Sequence, residues 1–597
     1  MNEAPKSIWK KSWKGPRAAL LRVTVLLIAI WLGMFLIMLV ADWTSKMAFV
    51  VFLVIGGLTM LSALLFLAYP TICCWKNFRR FLFVFACFAT LVALFYAEED
   101  WRGWHAWNQF RHQWEAKGEK FDWQSVVPPP VPDDQNFAMA PIWVELMAAG
   151  VGTNFAQAFY GKTPAPQELA KFSDRLQMNV GSWENYNDWP TNGNWETATL
   201  TDLKPWQDYY RALAAKTNEF PVARESQTPA RDVLLALSKY DWTIEALREA
   251  ARLPDSRFPL NYDDENPAGI TLPHLAVLRR CTQVLQLHAI AELQEGQTDK
   301  ALADVKLSLR LGDAIRNEPA LISHLVRIAV LQITLQPIYE GLAEHKWSDA
   351  QLVDLETELT KLNFVADYQL AMHGEMGFQD GIFDYLRRHP NELYNMSGNF
   401  GGERKLPLPG RMLVQLIPSG WFYQNQLHCA RPMVELILPV GDASRQTISP
   451  EKIKKAEATI AAQTRRLNAF NFIERLMLST LGNTAKRFAY AQASADLART
   501  AIALERYRLA HGGYPDSLDA LAPQFMEKIP HDVIGGGPLH YRLDPPSQSS
   551  GAASGQFVLY SIGWNERDDG GVVVFRKGSS SNVDINQGDW VWRYPAK

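Results

Sequence analysis

Three apolar runs without a single charged residue lie before position 97: Val23 to Ala41, Met47 to Tyr69 and Phe81 to Tyr96. At about 1.5 Å of rise per residue the second run reaches roughly 34 Å as a helix, enough for a hydrocarbon layer of about 30 Å. The third is short by that measure. Its helix can continue into Ala97 to Trp104, and Arg79 and Arg80 can snorkel to the interface. A cleaved leader would need a small-residue cleavage site after the first run, and a second apolar run follows it almost at once. The sequence predicts three transmembrane helices within residues 1–97.

Charge then orients them. Residues 1–96 carry ten basic and two acidic side chains, while the rest of the chain carries 50 basic and 61 acidic ones. Lys6, Lys10, Lys11, Lys14, Arg17 and Arg22 precede the first run, and Lys76, Arg79 and Arg80 fall between the second and third. Positive charge stays on the cytoplasmic side. The expected arrangement is a multi-pass protein of the bacterial inner membrane with a cytoplasmic N-terminus and a periplasmic body. Trp101, Trp104 and Trp107 follow the third run, where an interfacial belt would lie. The acidic body gives no clustered Lys and Arg for phosphate, so nucleic acid is not an expected partner. The expected partners are the lipid bilayer and other envelope proteins.

The body divides by composition. Residues 98–135 read as a juxtamembrane helix ending near Gly118, followed by the Pro-rich connector Val126 to Pro132. Residues 136–463 read as an α-helical body. Leu278, Cys281, Leu285, Ala289 and Leu293 keep helical spacing, and Ala301, Leu302, Val305 and Leu309 do so after Gly296. An α-hairpin is predicted, with Thr298 as an N-cap, a further helix opening near Pro319, and a capping box at Ser348 to Gln351. The hairpin resembles one tetratricopeptide unit, without a second copy at the expected period. Residues 464–597 read as a long helix, about Thr484 to His511, followed by short strands at Leu539 to Leu543, Phe557 to Ile562 and Val572 to Phe575. The predicted fold class is therefore mainly α: three transmembrane helices, a large α-helical body and a small C-terminal α+β domain.

That last domain carries a resemblance. Ala503-Leu504-Glu505-Arg506-Tyr507-Arg508-Leu509-Ala510-His511-Gly512-Gly513-Tyr514-Pro515, then Ile529-Pro530-His531-Asp532, and Leu559-Tyr560-Ser561-Ile562-Gly563 with Asp569-Gly570-Gly571 resemble the soluble domain of the major pseudopilins of type II secretion systems. The resemblance covers roughly residues 485–590. It implies a calcium site in the last loop, with Asn565, Asp568, Asp569 and Asp584 as the nearest counterparts of the ligands. Oxygen ligands in a Gly-rich loop suit such a hard cation. Asn565 stands where an acidic residue is usual, and a solvated acidic turn reads equally well from the residues alone. Pilin-like subunits also open one apolar helix with a Gly-Phe-Thr-Leu-x-Glu segment. Phe472-Ile473-Glu474-Arg475 has no adjoining span, so pilin-like polymerisation is not expected. The segments Pro128 to Ala138 and Leu234 to Asp241 are similar to those of a group of uncharacterised bacterial membrane proteins, which supplies no activity to transfer.

Catalytic signatures are sparse. The chain has no GxSxG, P-loop or dinucleotide-binding glycine fingerprint. His373-Gly374-Glu375 is a close His/Glu pair without the His spacing of a zinc helix. Cys281 and Cys429 are the body's two cysteines and could form one disulfide in an oxidising compartment. Trp183, Trp189 and Trp195 cluster in a polar stretch and read either as core or as a glycan or peptide surface. The expected function is that of a non-enzymatic, membrane-anchored interaction or scaffolding protein linked to secretion or envelope organisation. The alternative is a membrane-tethered hydrolase or glycan-processing enzyme without a recognisable motif.

Overall fold

A computed structural model describes residues 19–30, 59, 62, 75–161, 174–182, 187–393, 415–465, 470–478, 481–544, 556–579 and 581–595. The chain forms two compact units, Met1–Trp101 and Arg102–Lys597. In the first, the described elements are a short apolar helix, Ala19–Ile30, and the start of the long helix α1 (Trp75–Glu115). The third apolar run lies wholly inside α1. Its side chains are exposed around the helix, with Phe83, Phe88 and Leu91 each more than 60% accessible. Most of the first two expected spans falls outside the described residues. Among the described residues two helices, not three, are long and apolar enough to cross a membrane: α1 and Leu321–Ala343. The second of these was not among the expected spans, and 61% of its apolar window is buried in the helical body.

The second unit is built on antiparallel helices. Helix α2 (His274–Gln294) turns at Gly296, which sits at φ +73°, into α3 (Thr298–Asp313). A left-handed residue here costs glycine no Cβ clash. Leu278, Cys281, Leu285, Ala289 and Leu293 are all buried, so the 3.6-residue spacing identified the correct face. Thr298 is the first helical residue, and Gln297 occupies the N-cap position. Helix α4 (Leu321–Ala343) crosses the hairpin at Gly312, where an added Cβ would press on Val330. Pro319 therefore precedes the helix and its first turn. Ser348 and Gln351 form the reciprocal capping box that opens α5 (Asp349–Thr360). Helix α6 (Phe364–Arg388) follows after Asn363, whose side chain caps it.

Residues from 481 onward form helix α7 (Leu481–His511) and five strands. Strands β1 (His540–Asp544), β2 (Gln556–Ser561) and β5 (Trp590–Arg593) make an antiparallel sheet in the order β1-β2-β5, with Leu559 opposite both Tyr541 and Trp592. Strands β3 (Val573–Phe575) and β4 (Val583–Gly588) form a separate antiparallel pair. The coarse reading of a mainly helical chain with a small C-terminal antiparallel β region holds. The core does not break near residue 464. One continuous cluster joins Leu335, Ile338 and Leu342 of α4 to Leu497, Ala501 and Leu504 of α7 and to Trp592 of β5. Each Leu or Ile buried in it contributes about 1.5–3 kcal/mol.

The polar stretch before residue 202 belongs to the same core. Trp195 is 3% exposed and lies 5.4 Å from the Trp592 ring. Its backbone N–H donates to Gln336 Oε1 at 2.6 Å, and Gln336 Nε2 donates in turn to the Thr199 carbonyl and to Glu340 Oε1. Thr201 gives both its N–H and its hydroxyl to that same Glu340 oxygen, at 3.0 and 2.6 Å. Trp195 is thus a core residue. Trp189 is partly buried with its Nε1 on the Ser182 carbonyl, and Trp183 lies outside the described residues. Cys281 and Cys429 are both buried as free thiols in separate clusters and do not form a disulfide.

Burial pushes Glu340 up to about 7, against the lowering effect of its hydrogen bonds from Thr201 and Gln336. The folded protein therefore holds a proton there that the unfolded chain releases near 4.5. This contribution is fully present below pH 4.5 and is lost as pH rises through 7. Thermal melts of the full chain and of Glu340→Gln should show the wild type losing ground to the variant between pH 5 and pH 8. A constant difference would show that Glu340 does not titrate in the fold.

Candidate functional site

The four residues expected to hold calcium do not converge. Asn565 Nδ2 donates to Asp569 Oδ2 at 2.7 Å, which brings these two together. Asp568 faces the sheet instead, where Oδ1 accepts the Tyr560 hydroxyl at 3.0 Å and the Gly570 N–H at 2.9 Å. The Gly570 N–H holds the Asp568 carboxyl below its usual range. Asp584 accepts both the backbone N–H and the side-chain amide of Asn586, which lowers its pKa as well. The residue that organises this loop is Asp589, absent from the expected set. It is 1% exposed and accepts the N–H groups of Asp569, Gly571 and Val572 at 3.2, 2.7 and 3.3 Å. Gly570 and Gly571 sit at φ +75° and +79°, which helps successive N–H groups face one carboxylate. The loop closes around a protein anion. Its signal in the sequence was one Asp between Gly588 and Trp590, too little to single out.

Charged chemistry concentrates on the α2–α3 hairpin. His288 and Glu292 lie four residues apart on one face of α2, and Asp304 faces them from α3. His288 Nδ1 is 2.6 Å from Asp304 Oδ2 and 3.6 Å from Glu292 Oε1. Among the described residues, these three are the group of His, Cys, Asp and Glu side chains close enough to hold a metal ion. One imidazole and two carboxylates suit a divalent ion of borderline hardness. Arg248 also donates to Asp304 Oδ1 at 2.5 Å, so the site already contains a permanent positive charge. Burial would lower His288, but the hydrogen bond to Asp304 and the charges of Asp304 and Glu292 carry it above its ordinary value. Burial, together with the Asp304 charge, raises Glu292. Beside the cluster lies a cavity of about 510 Å³ lined by Arg248, Asp299, Lys306, Arg310, Glu358 and Lys361 with several apolar neighbours. Arg248 lines both, whereas His288, Glu292 and Asp304 do not reach the cavity.

Two further groups have the residue types of catalysis without its geometry. His274 Nε2 meets Glu318 Oε1 at 2.8 Å, and Ser323 Oγ donates to the other oxygen of the same carboxylate. All three are buried, and His274 stacks on Phe258 with ring centroids 4.2 Å apart. A serine nucleophile needs its proton directed at the imidazole, and here it is directed at the carboxylate. His373 and Glu375 also separate: His373 bonds the Gln369 carbonyl and, at 3.0 Å, Glu119. Glu375 turns to a different cavity.

Comparison with protein-family models, with curated proteins and with solved structures returns no match for the chain.

The hairpin cluster makes a stability prediction. Asp304 is fully buried between Arg248 and His288, so Arg248→Met removes one of the two side chains that pair with it. Losing a hydrogen bond to a buried charged group costs about 1.5–3 kcal/mol. Denaturant titration at pH 8 should show that loss, and the double variant Arg248→Met/Asp304→Asn should recover part of it. Equal stability of the single variant and wild type would contradict the pairing of Arg248 with Asp304.

Proposed function

We propose that this chain is a membrane-anchored, non-enzymatic interaction or scaffolding protein of the bacterial envelope, with a cytoplasmic N-terminus and a periplasmic body. The observation that carries the reading is the exposed apolar surface of α1. Phe81 to Phe95 includes Phe83 at 70%, Val84 at 64%, Phe88 at 63% and Leu91 at 66% exposure, on every side of the helix. Exposed apolar area costs about 25 cal/mol per Å² in water, and a lipid environment removes that cost. Arg79 and Arg80 at one end and the Trp101/Trp104 pair at the other suit the two interfaces.

The C-terminal region supports the link to secretion. The pseudopilin-like reading of residues 464–597 rests on the sequence segments given above, beside which stands the coarse arrangement of helix α7 packed on an antiparallel β1-β2-β5 sheet. On that reading the domain has been reused on a multi-pass anchor. The buried Asp589, which accepts loop N–H groups, gives it internal order from protein donors.

A fusion after Lys597 tests the topology. A periplasmic phosphatase reporter should be active there and a cytoplasmic fluorescent reporter dark. Deleting Phe81 to Tyr96 removes one crossing and should reverse both signals. A bright cytoplasmic fusion on the intact chain would overturn the periplasmic placement.

A further inference from the structure

The second chemically distinctive cavity lies between α4 and α6, and one glycine makes it. Gly374 on α6 abuts the 319–321 turn so closely that an added Cβ would land on the Pro319 carbonyl oxygen. This contact sets the next residue, Glu375, at the N-terminus of α4. Ala320, the N-cap residue of α4, supplies no side-chain hydrogen bond. Glu375 approaches that place from another helix, and the Leu321 N–H opposes the rise of its pKa. Free N–H groups at a helix start favour a carboxylate.

Around Glu375 is a cavity of about 400 Å³, within the usual range of about 300–1,000 Å³ for small-molecule sites. Trp123, Tyr262 and Phe378 form an aromatic wall, with Trp123 centred 6.1 Å from Tyr262 and 6.4 Å from Phe378. Ile270, Ile322 and Leu325 also line it. Among the described lining residues Glu375 is the one ionisable carboxyl. No described cation pairs with it. Burial pushes it up to about 7, with the Leu321 N–H as the opposing influence. The Tyr262 hydroxyl, in a residue 5% exposed, is buried without a hydrogen-bond partner.

An apolar chamber with aromatic walls and one carboxylate lacking a counter-charge is complementary to a particular kind of molecule. We propose that the cavity binds a small amphiphilic amine, its ammonium paired with Glu375 and its apolar body against Trp123, Tyr262 and Phe378. The ammonium supplies the charge that Glu375 lacks, and aromatic faces attract a cation as well as an apolar body. An anionic head is disfavoured, because Glu375 already occupies the helix N-terminus. A neutral head would leave the carboxylate uncompensated.

Calorimetry on the full chain in lipid nanodiscs tests this, with empty nanodiscs as the blank. The probes are 4-phenylbutylamine and its uncharged counterpart 4-phenylbutanol at pH 8, where Glu375 is ionised and the amine protonated. The amine should bind at least tenfold more tightly than the alcohol. Glu375→Gln should abolish that preference while leaving the alcohol's affinity within about twofold. Ile322→Trp, at a half-exposed position on the cavity rim, should weaken both probes and keep the fold whether or not Glu375→Gln does. Equal binding of the two probes, binding of neither, or an amine preference that survives in Glu375→Gln would each overturn the proposal.

Discussion

The burial of helix Leu321–Ala343 is the constraint on which the rest of the described body depends. Its N-terminus receives Glu375 from α6, its middle crosses the α2–α3 hairpin at Val330, and its last turns hold the 192–201 segment through Gln336 and Glu340. The Tyr339 hydroxyl then donates to the Arg593 carbonyl of the last strand at 3.0 Å. One helix therefore contacts segments separated by almost 400 residues of sequence. Removing it would expose the inner faces of the hairpin, of α7 and of the C-terminal sheet together, which is why the core is continuous where composition suggests a boundary.

A second property follows from that packing. The body buries carboxyl groups with few full counter-charges: Glu340, Glu375, Asp380 and Asp496 all rise toward neutrality, burial being the largest cause in each. Asp367 keeps Arg327 at 2.8 Å and still rises to about 6. These groups take up protons on folding between about pH 4 and 7. The linkage is additive in direction, so the fold's charge balance favours mildly acidic over alkaline conditions. His324 opposes the trend: burial and the nearby Arg327 lower it to about 3. It stays neutral throughout the range in which the carboxyls titrate.

What was legible in the sequence was local. The α2–α3 faces follow from 3.6-residue spacing, the Ser348–Gln351 box from four consecutive residues, and three of the five strands after residue 481 from short apolar runs. Strand β4 was missed because Asn586, Gln587 and Gly588 dilute its pattern, and β5 because Trp590 to Arg593 is only four residues long. The site chemistry was less legible for a physical reason. Glu375 owes its setting to Pro319 and Leu321, more than fifty positions away, and His288 owes its partner to a turn of the chain. Trp195 could be read as core or as surface because its neighbours Asn192, Gly193 and Asn194 are polar, and the structure decides for the core, with their hydrogen bonds directed into the protein. Asp589 illustrates the same limit, since its three donors come from a loop that only the β3–β4 pair brings near.

Two helices pass the same test of length and hydropathy, and their polar residues separate them. Helix Leu321–Ala343 carries Ser323, Arg327, Gln336 and Glu340, and each has a named partner inside the protein: Glu318, Asp367, Thr199 and Thr201. Such groups would be costly in hydrocarbon unless a neighbour satisfied them, and here the neighbours are helices and loops of one continuous core. The apolar stretch of α1 from Phe81 to Tyr96 has no charged group to satisfy, and its Thr90 hydroxyl returns to the Ala86 carbonyl of its own helix at 2.8 Å. A helix whose polar atoms are self-sufficient can stand in lipid, whereas one whose polar atoms need tertiary partners is committed to a protein interior. Hydropathy averages over this distinction, and the hydrogen-bond partners recover it.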